Sequence, residues 1–298
     1  MPAFAAAFAL LLGQAAAVAA PGEEAAATSD VLEGKADSED RLTVPVRIES
    51  QGPFQFLIDT GSQRTVISTA LASQLNLESG PVIRIISVGG TDMVSTAYVE
   101  QIELGSRTIS RILVPLLLKH NMGSDGIIGT DSLQDQRVLL DFTSNQIEIG
   151  DARTLGGSNG YEIVVRARRR SGQLVMTDAR IDGIRTAVVV DTGAGTSIGN
   201  RALQRALQKR RGAGAIITLQ SVTGHDIQAE IGFARKLEIR DIAVTNLLIA
   251  FTDTPAFREL GLDAKPALFL GMRELRLFKR VAIDFSKRRI MFDLPPLE

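Results

Sequence analysis

The stretch Phe56-Leu57-Ile58-Asp59-Thr60-Gly61-Ser62 returns 132 residues later as Val188-Val189-Val190-Asp191-Thr192-Gly193-Ala194. In each copy an apolar run favours a strand, and the acid stands where that strand ends. The glycine then permits a tight turn that aims the carboxylate away from its own backbone. One such copy is a strand and a turn. Two copies supply two carboxylates of the same local design.

Other matches follow in the same order. Ser87-Val88-Gly89-Gly90-Thr91-Asp92 corresponds to Ser221-Val222-Thr223-Gly224-His225-Asp226, 134 residues on. Ile127-Ile128-Gly129 corresponds to Phe269-Leu270-Gly271 after 142 residues, and Leu140-Asp141-Phe142 to Ile283-Asp284-Phe285 after 143. Ordered matches with slowly growing offsets mark a duplicated domain carrying insertions. Phe251–Pro266 reads as a longer loop that absorbs part of the growth. Two lobes are expected, residues 41–150 and 161–298, joined by a Gly-rich linker at 151–160.

Within the first lobe, Leu42–Ile48 alternates as a strand, and Gln51-Gly52-Pro53 turns into the strand that ends at Asp59. A short helix is expected from Thr69 to Asn76, capped by Ser68 or Thr69. Ile83–Val94 reads as two strands about a Gly-Gly turn, with further strands at Tyr98–Leu104 and Arg111–Leu117. A short helix follows at Ser132-Leu133-Gln134, and Val138–Phe142 with Asn145–Ile149 closes the lobe as a hairpin. The fold class is mostly β with short helices.

A chain of 298 residues, 45% of them apolar, can bury two modest cores. Cysteine is absent, which excludes disulfides and thiolate chemistry. The only histidines, His120 and His225, are far apart in sequence. They suit neither a catalytic imidazole nor a His-rich metal site, and no metal or cofactor is expected. Two Tyr and no Trp accompany the clusters Arg166, Arg168, Arg169 and Arg170, and Lys209-Arg210-Arg211. Those clusters read as solvated faces, and no nucleic-acid partner is expected.

Residues 4–20 are apolar and end in small side chains before Pro21, resembling a secretory signal within residues 1–20. The segment lacks a basic flank. Export to the periplasm or the exterior is the expectation, and a retained membrane anchor is the alternative. Residues 21–40 carry seven acids and one base, whereas residues 151–298 carry 16 acids and 24 bases. The acidic stretch reads as a solvated linker, or as a pro-segment held on the basic second lobe.

Over residues 42–294 these motifs resemble the aspartic proteases, and the retropepsin-like group more closely than the pepsins, here as an exported bacterial type. The resemblance implies a bilobal enzyme with Asp59 and Asp191 as the catalytic pair. Thr60, Gly61 and Ser62, with Thr192, Gly193 and Ala194, would support the active loops, the two threonines bonding across the lobe interface. Ile127-Ile128-Gly129 and Phe269-Leu270-Gly271 would pack behind those loops. Val88, Gly89 and Gly90, with Val222, Thr223 and Gly224, would form two flap tips. Neither tip holds the Tyr of the single pepsin flap. Retropepsins pair two chains, whereas this chain carries both copies, so a monomer is expected over a dimer assembled by inter-chain pairing of lobes.

As is known of the aspartic-protease pair, two carboxylates within about 3 Å share one proton over a wide pH range. Such a pair suits peptide hydrolysis, with a protein or peptide as the substrate. Ser62 differs from Ala194, and its hydroxyl is expected to bond Asp59 and favour the ionised form there. The rival reading from a different class is a non-catalytic peptide-binding module. Two mutually repelling carboxylates weigh against it, because binding alone does not require them.

Overall fold

The computed structural model describes residues 30–37, 40–151, 155, 160–208 and 214–295. The signal-like segment, the Lys209-Arg210-Arg211 cluster and most of the linker lie outside these residues. Among the described residues no helix is long and apolar enough to cross a membrane.

The first lobe is built on an eight-stranded sheet. Its strands run in the order Lys35–Ala36, Leu42–Ile48, Gln51–Ile58, Gly126–Ile128, Val66–Ser68, Arg107–Leu117, Thr91–Leu104 and Ser79–Ile86. The second lobe repeats that order with Arg168–Arg170, Gln173–Ile181, Ile184–Val190, Ala267–Leu270, Ser197–Gly199, Ile242–Phe251, Asp226–Ile239 and Ile216–Gln220. Each sheet also curls onto itself, through Arg47 opposite Glu103 in one lobe and Arg180 opposite Glu238 in the other.

A third sheet, of six strands, is shared. Its order is Asp30–Glu33, Gln146–Gly150, Arg137–Asp141, Arg280–Asp284, Arg289–Asp293 and Ile163–Arg166, so the lobes meet where Arg137–Asp141 pairs with Arg280–Asp284. Side chains alternate across a strand. One face therefore carries the row Leu32, Ile147, Leu140, Val281, Phe292 and Ile163, all buried in a single apolar cluster that runs through both lobes. Full burial of side chains of this size stabilises by roughly 1.5–3 kcal/mol each, so this row ties the lobes together. On the opposite face Arg137 and Asp284 form an ion pair at 2.9 Å, and both are buried.

The structure departs from the sequence reading in three places. Residues 30–36, read as part of a solvated linker, are two strands of the first lobe. They are the counterparts of Ile163–Arg166 and Arg168–Arg170 in the second lobe, which carries the repeat back to residue 30. Two residues of the four in Asp30–Glu33 are acids and only Leu32 is buried, so the strand carried too few apolar residues to be recognised. The segment Phe251–Pro266 is not simply a loop, because Pro255–Glu259 is helical there. Its Phe257 is buried against Phe269, with ring centroids 4.6 Å apart. Thr91–Leu104 is one strand of 14 residues, long enough to serve both the flap hairpin and the lobe sheet.

The short helix Thr69–Gln74 starts where expected. Ser68 caps it, its Oγ accepting from the Leu71 amide at 3.1 Å.

Candidate active site

Asp59 leaves the end of strand Gln51–Ile58 and Asp191 the end of Ile184–Val190. Each of these strands pairs in parallel with the strand that carries the apolar-apolar-Gly motif. Leu57 lies beside Ile127 and Val189 beside Phe269. The Asp59 amide donates to the Ile128 carbonyl at 3.0 Å, and the Asp191 amide donates to the Leu270 carbonyl at 3.0 Å. The turn after each motif leaves no room for a side chain. A Cβ on Gly271 would stand 2.8 Å from the Thr196 backbone, and one on Gly129 would strike the Arg64 backbone.

The two Asp-Thr-Gly loops face each other across the lobe interface. Thr60 Oγ1 donates to the Val190 carbonyl at 2.8 Å, and Thr192 Oγ1 donates to the Ile58 carbonyl at 2.6 Å. The Thr60 amide donates to Thr192 Oγ1 at 3.1 Å, and the Thr192 amide to Thr60 Oγ1 at 3.3 Å. Both threonines are buried. Four reciprocal bonds thus fix the spacing of the two loops, and truncating either threonine strands a buried carbonyl in the other lobe.

The glycines allow the carboxylates to meet. A Cβ on Gly61 would lie 2.5 Å from Asp191 Oδ1, and one on Gly193 would overlap the Asp59 carboxyl. Asp59 Oδ1 accepts from the Gly61 amide at 2.8 Å and the Ser62 amide at 3.0 Å, while Asp191 Oδ1 accepts from the Gly193 amide at 3.1 Å. Each carboxyl lies against the glycine of the opposite loop, so the two side chains face each other across the interface. Burial raises both carboxyls above the ordinary aspartate value. For Asp191 the neighbouring Asp59 charge adds to burial and takes it up to about 8. For Asp59 the rise due to burial is opposed by the Gly61 and Ser62 amides and by the Arg41 guanidinium. For Asp191 the Gly193 and Ala194 amides likewise oppose the rise, but among the described residues no cation does so as Arg41 does for Asp59, so a proton shared by the pair is favoured on Asp191.

The expected source of this asymmetry was the Ser62 hydroxyl, and the structure corrects that expectation. Ser62 Oγ donates to the Arg64 carbonyl at 2.8 Å, not to Asp59. The two-residue return of the chain brings that carbonyl nearer to the hydroxyl, and the Ser62 backbone amide takes the place beside Asp59.

Above the pair lies a cleft of about 1040 Å³ lined from both lobes, with Ile85 and Leu117 on one side and Leu219 and Leu260 on the other. The hairpin Ser79–Ile86 with Thr91–Leu104 and its counterpart Ile216–Gln220 with Asp226–Ile239 reach toward each other over this cleft. Their tips cross. Val88 packs against the second-lobe cluster of Val189, Ile198 and Phe269, and Val222 packs against the first-lobe cluster of Leu57, Val66 and Ile127. Ser87 Oγ and Thr223 Oγ1 are 3.1 Å apart, and His225 Nε2 is 2.7 Å from Asp92 Oδ1. Gly89 lies against Ser221 and Gly224 against Asn121, each too close for a Cβ. Gly90, at φ +157, completes the first turn. His225 and Asp92 carried no signal in the sequence, because their contact exists only when two distant hairpins meet.

Residues 44–135 match the family described as "gag-polyprotein putative aspartyl protease", and residues 177–273 match the family described as "Aspartyl protease". No curated protein matches the chain. The two matched segments contain the two Asp-Thr-Gly loops and their apolar-apolar-Gly partners in the same order. The chain belongs to the aspartyl proteases, with two retropepsin-like lobes in tandem.

Proposed function

We propose that this protein is an aspartic endopeptidase that hydrolyses peptide bonds of protein substrates, with Asp59 and Asp191 as its catalytic pair. The observation that carries the reading is a pair of facing carboxyls, Asp191 buried and Asp59 half-buried, at the floor of a two-lobed cleft, each held by amides of its own turn. In the single-proton state Asp59 accepts a proton from a water that attacks the substrate carbonyl carbon. Asp191 gives its proton to the carbonyl oxygen. The tetrahedral adduct then collapses as the nitrogen leaves with a proton returned from the pair. Asp59, Asp191 and the water do this without a covalent intermediate.

Both carboxylates come from one chain, which supports a monomeric enzyme. Export forms part of the same proposal, on the strength of the apolar segment at residues 4–20.

The test is cleavage of an unfolded protein at acid pH with and without a statine-type transition-state mimic. Inhibitable cleavage is expected, abolished by Asp59→Asn alone and by Asp191→Asn alone. Peptide binding without cleavage by the unaltered chain overturns it in favour of a binding module. Activity restored by mixing the two variants would instead indicate lobes pairing between chains.

A further inference from the structure

Applying the 132-residue offset of the two aspartates to the strand before each active loop sets Arg41 against Gln173. Strand register supports this equivalence, because Thr43 lies opposite Leu57 as Val175 lies opposite Val189. Both side chains are buried and both line the cleft. Arg41 Nη1 donates to the Gly193 carbonyl at 3.4 Å, and Gln173 Nε2 donates to the Gly61 carbonyl. Each residue therefore reaches across the interface to the glycine of the opposite active loop. That glycine in turn stands against the carboxyl of the residue's own lobe, Gly193 against Asp59 and Gly61 against Asp191.

The two brackets share geometry and differ in charge. Arg41 is further held by Asp37, whose Oδ2 accepts from Nε at 2.8 Å, and by the Met122 carbonyl at 2.9 Å. The position equivalent to Asp37 is Arg169, so the second lobe has no matching acid there. Gln173 Oε1 is buried without a partner. A side chain held only through its amide nitrogen fixes a carbonyl without bringing charge.

We propose that Arg41 and Gln173 are positioning residues that hold the two active loops from equivalent places, and that the charge, which only Arg41 of the two carries, biases the shared proton toward Asp191. The proposal rests on the reading of Asp59 and Asp191 as the working pair. The other charged groups facing the cleft are Asp40, Arg64, Arg84, His120, Glu259 and Arg273. All are more exposed than Arg41, so solvent screens them more strongly.

The test compares Arg41→Gln, Arg41→Lys and Gln173→Met by the pH profile of peptide cleavage and by ¹³C NMR titration of the Asp carboxyls. An opposite charge beside a carboxylate moves its titration by about one unit or more, so Arg41→Gln should raise the acid limb by roughly one unit. Arg41→Lys should restore the limb. Gln173→Met should lower kcat severalfold and leave the limb in place. The proposal is overturned if Arg41→Gln leaves the limb unmoved, if Arg41→Lys fails to restore it, or if Gln173→Met moves it equally. The NMR titration reads the proton's location even in a chain that cleaves nothing, so failure of the peptidase reading and failure of this proposal are distinguishable.

Discussion

Replacing Asp191 by Asn should stabilise the folded chain while abolishing its activity, and the gain should grow with pH. The Asp191 carboxyl is raised from 3.8 to about 8 by burial and by the charge on Asp59. Below the ordinary aspartate value, folded and unfolded chains both carry the proton and the group contributes no pH dependence. As pH rises above that value the unfolded chain releases the proton and the folded chain keeps it. Stability therefore falls through this window until the folded group also ionises. Each unit of separation corresponds to ~1.4 kcal/mol, which sets a ceiling near 6 kcal/mol; water penetration and relaxation of the pair reduce this to ~2–3 kcal/mol at pH 8. For a chain of this size that is a rise in Tm of roughly 4–10 °C at pH 8, against almost none at pH 4. Differential scanning calorimetry of both proteins at the two pH values reads the difference. Equal Tm shifts at pH 4 and pH 8, or a destabilised Asn variant at pH 8, would refute the reasoning.

Four further outcomes follow from the same geometry. Thr60→Val strands the Val190 carbonyl in the opposite lobe and should cost about 1–3 kcal/mol in chemical denaturation, with kcat falling because the loop spacing is no longer fixed. Ser62→Ala should leave the acid limb of the pH profile unchanged, since its hydroxyl faces the Arg64 carbonyl; a shifted limb would return the asymmetry to the hydroxyl. Arg137→Met leaves Asp284 charged and buried between the lobes, and should cost ~3–5 kcal/mol, seen as a lower urea midpoint that the double change with Asp284→Leu largely recovers. Asp92→Asn weakens the tie between the flap tips, so KM should rise severalfold while the melting temperature stays within a degree or two.

Much of the site could be read in the chain because its parts are contiguous. An apolar strand, an acid and a glycine occupy seven neighbouring residues, and the duplication displays the same words twice. The apolar-apolar-Gly partners were legible for the same reason, since parallel pairing beside the active strand requires residues that tolerate burial on both faces. What escaped the sequence depends on distance or on disguise. Asp30–Glu33 hides a strand in which two of four residues are acids and only Leu32 is buried. Gln173 and Arg41 are equivalent in place and unlike in chemistry, so their likeness emerges only from the shared register. The Ser62 hydroxyl was assigned by its closeness in sequence to Asp59, but the chain turns enough to give it a nearer acceptor. The tie between His225 and Asp92 joins residues 133 positions apart and has no local signature.

Under the proposed function one chain supplies both halves of a hydrolytic carboxyl pair. Titrating active protein with a tight-binding statine-type mimic, while its mass in solution is measured, tests this most directly. Complete inhibition is expected at one mimic per chain, by a protein that remains a monomer. Inhibition complete at one mimic per two chains, with a mass doubled to match, would contradict it.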